Sequence, residues 1–296
     1  VPNLGLLFDV DGPLASPITR SVVTRSILHD LVNLARGGVP ISFITGRSDA
    51  FIAEQIVAPL LDEGLADALA VGGAGMFGVF EKGATWAPIT SDGMGEVIVD
   101  TSVAIPAPAV DAVRVLVETH FSDVVFFDET KRAMISVEQR TEVSADAFHA
   151  RQQEFDDAAF DIMVAHGLGI RQHDGGRQRE AADSTGAVPF RIDPTIISTD
   201  VESVLLDKDR GAQRSLAYLA TFGRLPRRWR SVGDSRSDHK MADHLHAAGY
   251  EVAHVDVRPS DGILERDYPV ITIDDKIHDE AGASFLAHWV KQLALG

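Results

Sequence analysis

Apolar positions along the chain follow two rhythms. Short runs of Leu, Ile, Val and Phe, such as "LGLLFDV" (4–10) and "VPISFITGRS" (39–48), have the length and composition of buried strands. Between them, "RSVVTRSILHDLVNLARGG" (20–38) repeats its apolar residues at helical spacing and ends in Gly37 and Gly38, as an amphipathic helix does. "DAFIAEQIVAPLLDEG" (49–64) reads as a second helix and "ADALAVGG" (66–73) as a third strand. Strand alternating with helix predicts a parallel sheet wrapped on both faces. The alternation returns late in the chain, with helix "GAQRSLAYLATFG" (211–223), strand "RWRSVGD" (228–234), helix "DHKMADHLHAAG" (238–249), strands "YEVAHVDV" (250–257) and "YPVITI" (268–273), and a final helix near 280–295.

In the middle the rhythm changes. Helix "APAVDAVRVLVETHF" (107–121) is followed by strands "DVVFFDE" (123–129) and "RAMISVEQ" (132–139), and a long helix over 144–167 by short strands near 169–174, 188–193 and 202–207. A helix followed by strands, given twice, predicts an α+β insertion with an antiparallel sheet. The expected fold is therefore α/β, with a Rossmann-like parallel-sheet core formed by residues 1–82 and 200–296 and an α+β domain inserted at 83–199. "HDGGRQREAADSTG" (173–186) reads as a polar loop or hairpin.

The 296 residues, 45% of them apolar, accommodate about two domains with buried cores. No apolar run approaches the ~20 residues of a membrane span, and residues 1–20 carry neither a basic leader nor a cleavage site. With no cysteine, disulfide and thiolate chemistry are excluded, and a cytoplasmic location is expected. A net charge of −17 opposes binding to nucleic acid or anionic membrane. An anionic small-molecule substrate then requires a local cation or basic pocket.

Ligands of open α/β sheets bind beyond the carboxyl ends of the strands, so the residues that follow each strand carry the candidate chemistry. After the first come Asp9 and Asp11, which alternate on one side of the extended chain. After the second come Thr45, Gly46 and Arg47, before the first late helix stands Lys208, and after "RWRSV" come Gly233 and Asp234, with Asp238 four residues on. Two carboxylates so close repel each other, and a site that keeps both holds a cation or uses their unequal proton affinities. "DVDG" superficially starts a calcium loop, but Pro13 and Leu14 break that ligand pattern and a strand precedes it.

"DVDG", "TGR", the lysine of "DKDRG" and "GDSRSD" resemble, in order and place, the four motifs of the haloacid dehalogenase superfamily of phosphohydrolases. The resemblance covers residues 1 to about 80 and 200 to 296. An insertion after the third strand is similar to the type-two cap subclass, which includes sugar-phosphate phosphatases. The resemblance implies Asp9 as nucleophile forming an aspartyl-phosphate, and Asp11 as the acid that protonates the leaving group and then activates water. It implies Mg2+ held by Asp9, Asp234 and the Asp11 carbonyl, with Asp238 supporting the metal from behind its ligands or through water. Thr45 and the Gly46 amide would hold phosphoryl oxygens, and Lys208 would add positive charge and restrain Asp9. Arg210 competes with Lys208 for that role, because Asp209 and Arg210 intervene before Gly211. Pro13 in place of Thr and Ser237 in place of Asn are further departures from the family pattern.

The function this implies is Mg2+-dependent hydrolysis of a small phosphorylated metabolite, with a sugar phosphate favoured by family analogy. A phosphomutase, which returns the phosphoryl group to another hydroxyl, and a catalytically weak sugar-phosphate-binding protein are the alternatives; oligomeric state is left open. Cap candidates for substrate contact are Lys131, Arg132, Arg140, Arg171, Arg177, Arg179 and Arg191, with hinges expected near 80–84 and 198–206. Two other patterns are read as structural. Gly73-x-Gly75-x-x-Gly78 matches a dinucleotide fingerprint formally but is followed by a strand and turn rather than a helix. His239, His244 and His246 are expected on a solvated helix surface.

Overall fold

The computed structural model describes residues 2–16, 19, 21–172, 176–179 and 188–295, so most of the predicted polar loop at 173–186 lies outside the described residues. The chain forms two compact units, Val1–Ile98 with Asp207–Gly296, and Val99–Leu206. In the first, strand β1 (Gly5–Phe8) leads to helix α1 (Arg25–Arg36) and strand β2 (Ile41–Ile44). Helix α2 (Asp49–Ile52) passes through a π-helical turn, Ala53–Val57, into α3 (Ala58–Asp62), followed by α4 (Leu65–Gly72). Strands β3 (Met76–Phe80), β4 (Thr85–Thr90) and β5 (Gly93–Met94) come next, and β6 (Ile98–Val99) stands at the boundary.

The segment expected as a third strand, 66–73, is thus helix α4. Its Ala- and Leu-rich run suits either element, and Leu65 and Ala68, three apart, bury on one helical face in the cluster that includes Leu31 and Leu34 of α1. The third strand begins three residues past the helix, at Met76. Gly73 ends α4, Gly75 precedes β3 and Gly78 lies within it, so the glycines run from helix into strand, the reverse of a dinucleotide fold.

The insertion holds α5 (Ala107–Leu116), β7 (Val125–Phe127), β8 (Ile135–Gln139), α6 (Ala145–Ala165), β9 (Ile170–Arg171), β10 (Gln178–Arg179), β11 (Phe190–Pro194) and β12 (Ser198–Ser203). The chain then returns through α7 (Lys208–Leu219), β13 (Arg228–Gly233), α8 (His239–Ala247), β14 (Glu251–Asp256), β15 (Val270–Ile271) and α9 (His278–Gln292). The core sheet has the order β15-β14-β13-β1-β2-β3-β4-β5, parallel as far as β3 and antiparallel from β3 to β5. Because β4 and β5 continue this sheet, the insertion starts at 99 rather than 83, and the expected hinge at 80–84 is a turn inside the core unit. Its far boundary moves from 199 to 206, since β12 pairs with β8 and β11 of the inserted sheet.

Period-two alternation sorts the core side chains. Leu6, Phe8, Ile41 and Phe43 pack with α1, α4 and α9, while Leu7, Ile44, Phe77 and Val79 pack with α7 and α8. Sandwiching the sheet between two helical layers fixes the carboxyl ends of β1, β2, β3 and β13 side by side. No helix among the described residues is long and apolar enough to cross a membrane.

The inserted unit packs α5 and α6 on a sheet ordered β10-β9-β11-β12-β8-β7, with Phe121, Phe155, Ile135, Ile192 and Val201 in its core. Asp156 of α6 is buried there and accepts a 2.8 Å hydrogen bond from the Thr199 hydroxyl. Burial pushes its carboxyl up to about 6, against the pull of that hydrogen bond. An acid raised in the folded state favours folding below its unfolded value and loses that advantage as pH climbs through its folded value. Asp156→Asn, which keeps an acceptor for Thr199, should therefore stabilise the protein by about 2 kcal/mol near pH 7.5 and by little below pH ~4. Thermal unfolding of the full chain at the two pH values checks this; equal Tm shifts at both would refute it.

Candidate active site

Burial of β1 up to Phe8 delivers Asp9 to the carboxyl edge of the sheet, where its amide donates to the Val232 carbonyl at 2.8 Å. The residue is only 7% exposed. Beyond it the chain turns sharply, with Gly12 at φ 92°. A side chain there would also collide with the Asp234 carboxylate, since a methyl group on Gly12 would lie 2.7 Å from it. β13 ends in Gly233, Asp234 follows it, and a short 3-10 turn (Arg236–Asp238) folds Asp238 back beneath them. Asp9, Asp234 and Asp238 thereby offer three carboxylate oxygens that all lie within 4.8 Å of one another.

Lys208, the first residue of α7, reaches into this cluster after Asp207 caps the helix by accepting from the Lys208 amide at 2.8 Å. Its Nζ donates to Asp9 Oδ1 at 2.6 Å and to the Ile44 carbonyl at 2.7 Å, and lies 3.0 Å from Asp238 Oδ1. The structure therefore brings Lys208, not Arg210, to Asp9; the Arg210 stem packs next to Gly83 instead. Asp238 Oδ2 is occupied by the amides of Asp234 (3.0 Å) and Ser235 (2.9 Å) and by the Ser235 hydroxyl (2.8 Å). Ser237, the residue that departs from the family's Asn, sets its hydroxyl 2.9 Å from that of Ser235.

Thr45 is fully buried at the end of β2, and its hydroxyl accepts from the Arg47 amide at 3.0 Å. It is not the cap of α2, which is Ser48, accepting from the Phe51 amide. Arg47 closes the same motif, and the sequence pattern assigns it no role. Its guanidinium forks onto Asp11, Nε to Oδ2 at 3.0 Å and Nη2 to Oδ1 at 3.2 Å, and lies 4.9 Å from the centre of the Phe51 ring. His278, which no sequence signal marked, opens α9 with Nδ1 3.9 Å from Asp234 Oδ2.

Burial and the neighbouring Asp238 charge hold Asp9 well above the usual carboxylate range, with Lys208 opposing them. Burial and Asp238 likewise push Asp234 up to about 6. Burial also works against charge on Asp238, but the Lys208 ammonium and the Ser235 hydroxyl hold that carboxyl below its ordinary value. Lys208 is itself buried, yet the charges of Asp238 and Asp9 hold its proton more tightly than usual. Carboxylates raised by burial and by mutual repulsion are what a divalent cation would relieve, and an all-oxygen donor set suits a hard ion such as Mg2+. Asp238 Oδ1, buried and without an aligned hydrogen bond apart from its ion pair to Lys208, fits such an ion as well.

His239 corrects the expectation of a solvated helix surface. It is buried at the start of α8, with its ring centroid 4.0 Å from that of His254 on β14, whose Nδ1 lies 2.8 Å from the Ser231 hydroxyl. Burial and the neighbouring His239 lower His254 to about 3, so it is neutral at pH 7.

Among the cap candidates, Arg191 is engaged by Glu202 (2.6 Å) and the Leu206 carbonyl (3.0 Å), and Arg177 by Asp157, by Asp161 and by the face of Phe160. Arg140 donates to the Ser122 carbonyl at 2.7 Å, Lys131 lies 3.9 Å from Asp128, and Arg171 is exposed on β9. The side chain of Arg179 is outside the described residues.

No family model matches the sequence, and no curated protein sequence matches it either. Solved structures do match in fold. The trehalose-6-phosphate phosphatase C-terminal domain of C. albicans superposes with a TM-score of 0.61 at 13% identity, covering 98% of this chain and 93% of that one. The chain has the haloacid dehalogenase fold. A haloacid dehalogenase-like hydrolase from Bacteroides thetaiotaomicron superposes with a TM-score of 0.55 at 12% identity, covering 96% and 98% of the two chains. A haloacid dehalogenase subclass IIB sugar phosphatase, BT4131, gives 0.52 at 20% identity over 96% and 98%.

Proposed function

We propose that the protein is a phosphomonoesterase that uses Mg2+ and an aspartyl-phosphate intermediate to hydrolyse a small phosphorylated metabolite, with sugar phosphates as the substrate class. The observation that carries this reading is the buried contact between Lys208 and Asp9 at the strand edge that also holds Asp11, Thr45 and Asp234. The fold's resemblance to proteins described as sugar and trehalose-6-phosphate phosphatases supports the substrate class.

In this reading Asp9, aligned by Lys208, attacks phosphorus in line, and the bond from phosphorus to the leaving oxygen breaks as the acyl-phosphate bond forms. Asp11 gives its proton to the departing alkoxide, then takes one from the water that attacks the aspartyl-phosphate, releasing phosphate and restoring Asp9. Arg47 positions Asp11 by holding both of its oxygens, and must release at least one before the carboxyl carries a proton to the leaving group. The Thr45 hydroxyl and Gly46 amide hold phosphoryl oxygens. Asp9, Asp234 and Asp238, with the Asp11 carbonyl, would hold Mg2+, which when bound neutralises charge on the phosphoryl group and keeps Asp9 anionic.

Phosphate release from a panel of sugar phosphates and from p-nitrophenyl phosphate tests the proposal. With millimolar Mg2+ release is expected, and with EDTA a loss of at least about a hundredfold. Release unaffected by EDTA would remove the metal, and an isomerised ester in place of free phosphate would make the protein a mutase. No release by folded protein with Mg2+ would leave a binding role.

A further inference from the structure

β3 ends in three successive residues of left-handed backbone, Glu81 (φ 48°), Lys82 (φ 54°) and Gly83 (φ 101°). Only the last is glycine. A residue with a Cβ adopts this conformation at a cost, so a run of two such residues persists where the surroundings impose it and the side chains are used.

The surroundings are the phosphate loop. The Lys82 amide donates to the Thr45 carbonyl at 3.0 Å and the Glu81 amide to the Arg47 carbonyl at 3.1 Å, so the turn is bonded to both ends of Thr45-Gly46-Arg47. From behind, Arg214 fixes the Gly83 carbonyl at 2.9 Å while lying 3.7 Å from the centre of the Trp86 ring. The turn lays the Lys82 stem over Gly46: a methyl group on Gly46 would lie 3.7 Å from Lys82 Cε and 3.9 Å from its Cγ. Lys82 Cε therefore lies over the residue whose amide is proposed to hold a phosphoryl oxygen.

Charge balance gives that placement a purpose. The Lys208 ammonium has three N–H groups and already has three oxygens within 3.0 Å, those of Asp9, Ile44 and Asp238. The carboxylates of Asp9 and Asp238 balance its charge, so a dianion entering on the Thr45–Gly46 side meets little net positive charge from Lys208 alone.

We propose that Lys82 is the phosphoryl-binding cation on the Thr45–Gly46 side of the site, a substrate-binding residue for phosphate monoester dianions. This rests on the phosphomonoesterase reading for its place in a reaction, but not for the binding itself. The test is a phosphorus NMR titration of inorganic phosphate against the full chain with Mg2+, in wild type and in Lys82→Met, Lys82→Arg and Lys82→Gly, with Tm recorded for each. Lys82→Met should weaken phosphate about tenfold, the loss of one charge-assisted hydrogen bond, and Lys82→Arg should stay within about threefold of wild type. Lys82→Gly should weaken phosphate as Met does while raising Tm, because glycine accepts the left-handed backbone. Unchanged affinity in Lys82→Met or Lys82→Gly would overturn the proposal, as would a wild type that binds no phosphate. Affinity that depends on Lys82 in a protein that hydrolyses no ester would uphold it while defeating the phosphomonoesterase reading; ester hydrolysis with affinity indifferent to Lys82 would do the reverse.

Discussion

Asp9→Asn is expected to lower Mg2+-dependent phosphate release by at least about a thousandfold while the protein stays folded. An amide of the same shape fills the buried site at the end of β1, but it is no nucleophile toward phosphorus. Folding should survive for an electrostatic reason. Burial and the Asp238 charge already hold the Asp9 carboxyl well above its usual range, so its ionised form is disfavoured where it stands. Removing that charge loses the 2.6 Å partner of Lys208 but also removes repulsion with Asp11, Asp234 and Asp238, and Lys208 keeps Asp238 and the Ile44 carbonyl. The Tm should therefore move by only a few degrees. Release within tenfold of wild type, from protein whose circular dichroism and Tm match it, would defeat the nucleophile assignment.

How far the sequence discloses such a site depends on which physical rule each residue obeys. Asp9, Thr45, Lys208 and Asp234 could be found because each follows a recognisable apolar strand or opens a helix, and a parallel sheet brings those ends together whatever the distance in sequence. The segment 66–73 could not be assigned by pattern, since an eight-residue run of Ala, Leu and Val ending in glycine fits both a buried strand and a short helix. The strand and turn legible after Gly78 are the β3–β4 hairpin, but the left-handed backbone of its turn at Glu81–Gly83 is announced by no residue except Gly83. Arg47 stood in plain view after Thr45-Gly46, yet its partner Asp11 is 36 residues away and only the folded loop joins them. His239 is polar in a helix of mixed pattern, and its burial follows from the His254 ring on β14, which periodicity within α8 does not register.

Lys208→Ala is expected to cost far more than Arg210→Ala, in activity and in stability. Lys208 is the cation among Asp9 and Asp238, both buried, and alanine leaves those carboxylates without it. Removing one partner of a buried ion pair destabilises by about 3–5 kcal/mol, because the remaining charge keeps its desolvation cost and loses its compensation. The sign of the pH dependence follows. Without the ammonium, both carboxylates prefer their protonated forms in the folded state more than in the unfolded one, so the variant binds protons on folding and its stability rises as pH falls. The Tm deficit against wild type should thus be largest above neutrality and shrink toward pH ~4. Millimolar Mg2+ should recover part of it at neutral pH, since a divalent cation that binds only the folded cluster stabilises by mass action. Activity should fall at least about a hundredfold, as Asp9 loses the group that fixes its attacking geometry. Arg210 lies two residues further on, its stem against Gly83, and Arg210→Ala should cost about 1 kcal/mol of packing and under about fivefold in rate. The two variants, measured side by side for Tm across pH and for phosphate release, decide between the residues. A larger loss in Arg210→Ala would transfer the role to the arginine and leave the 2.6 Å contact of Lys208 with Asp9 a structural one.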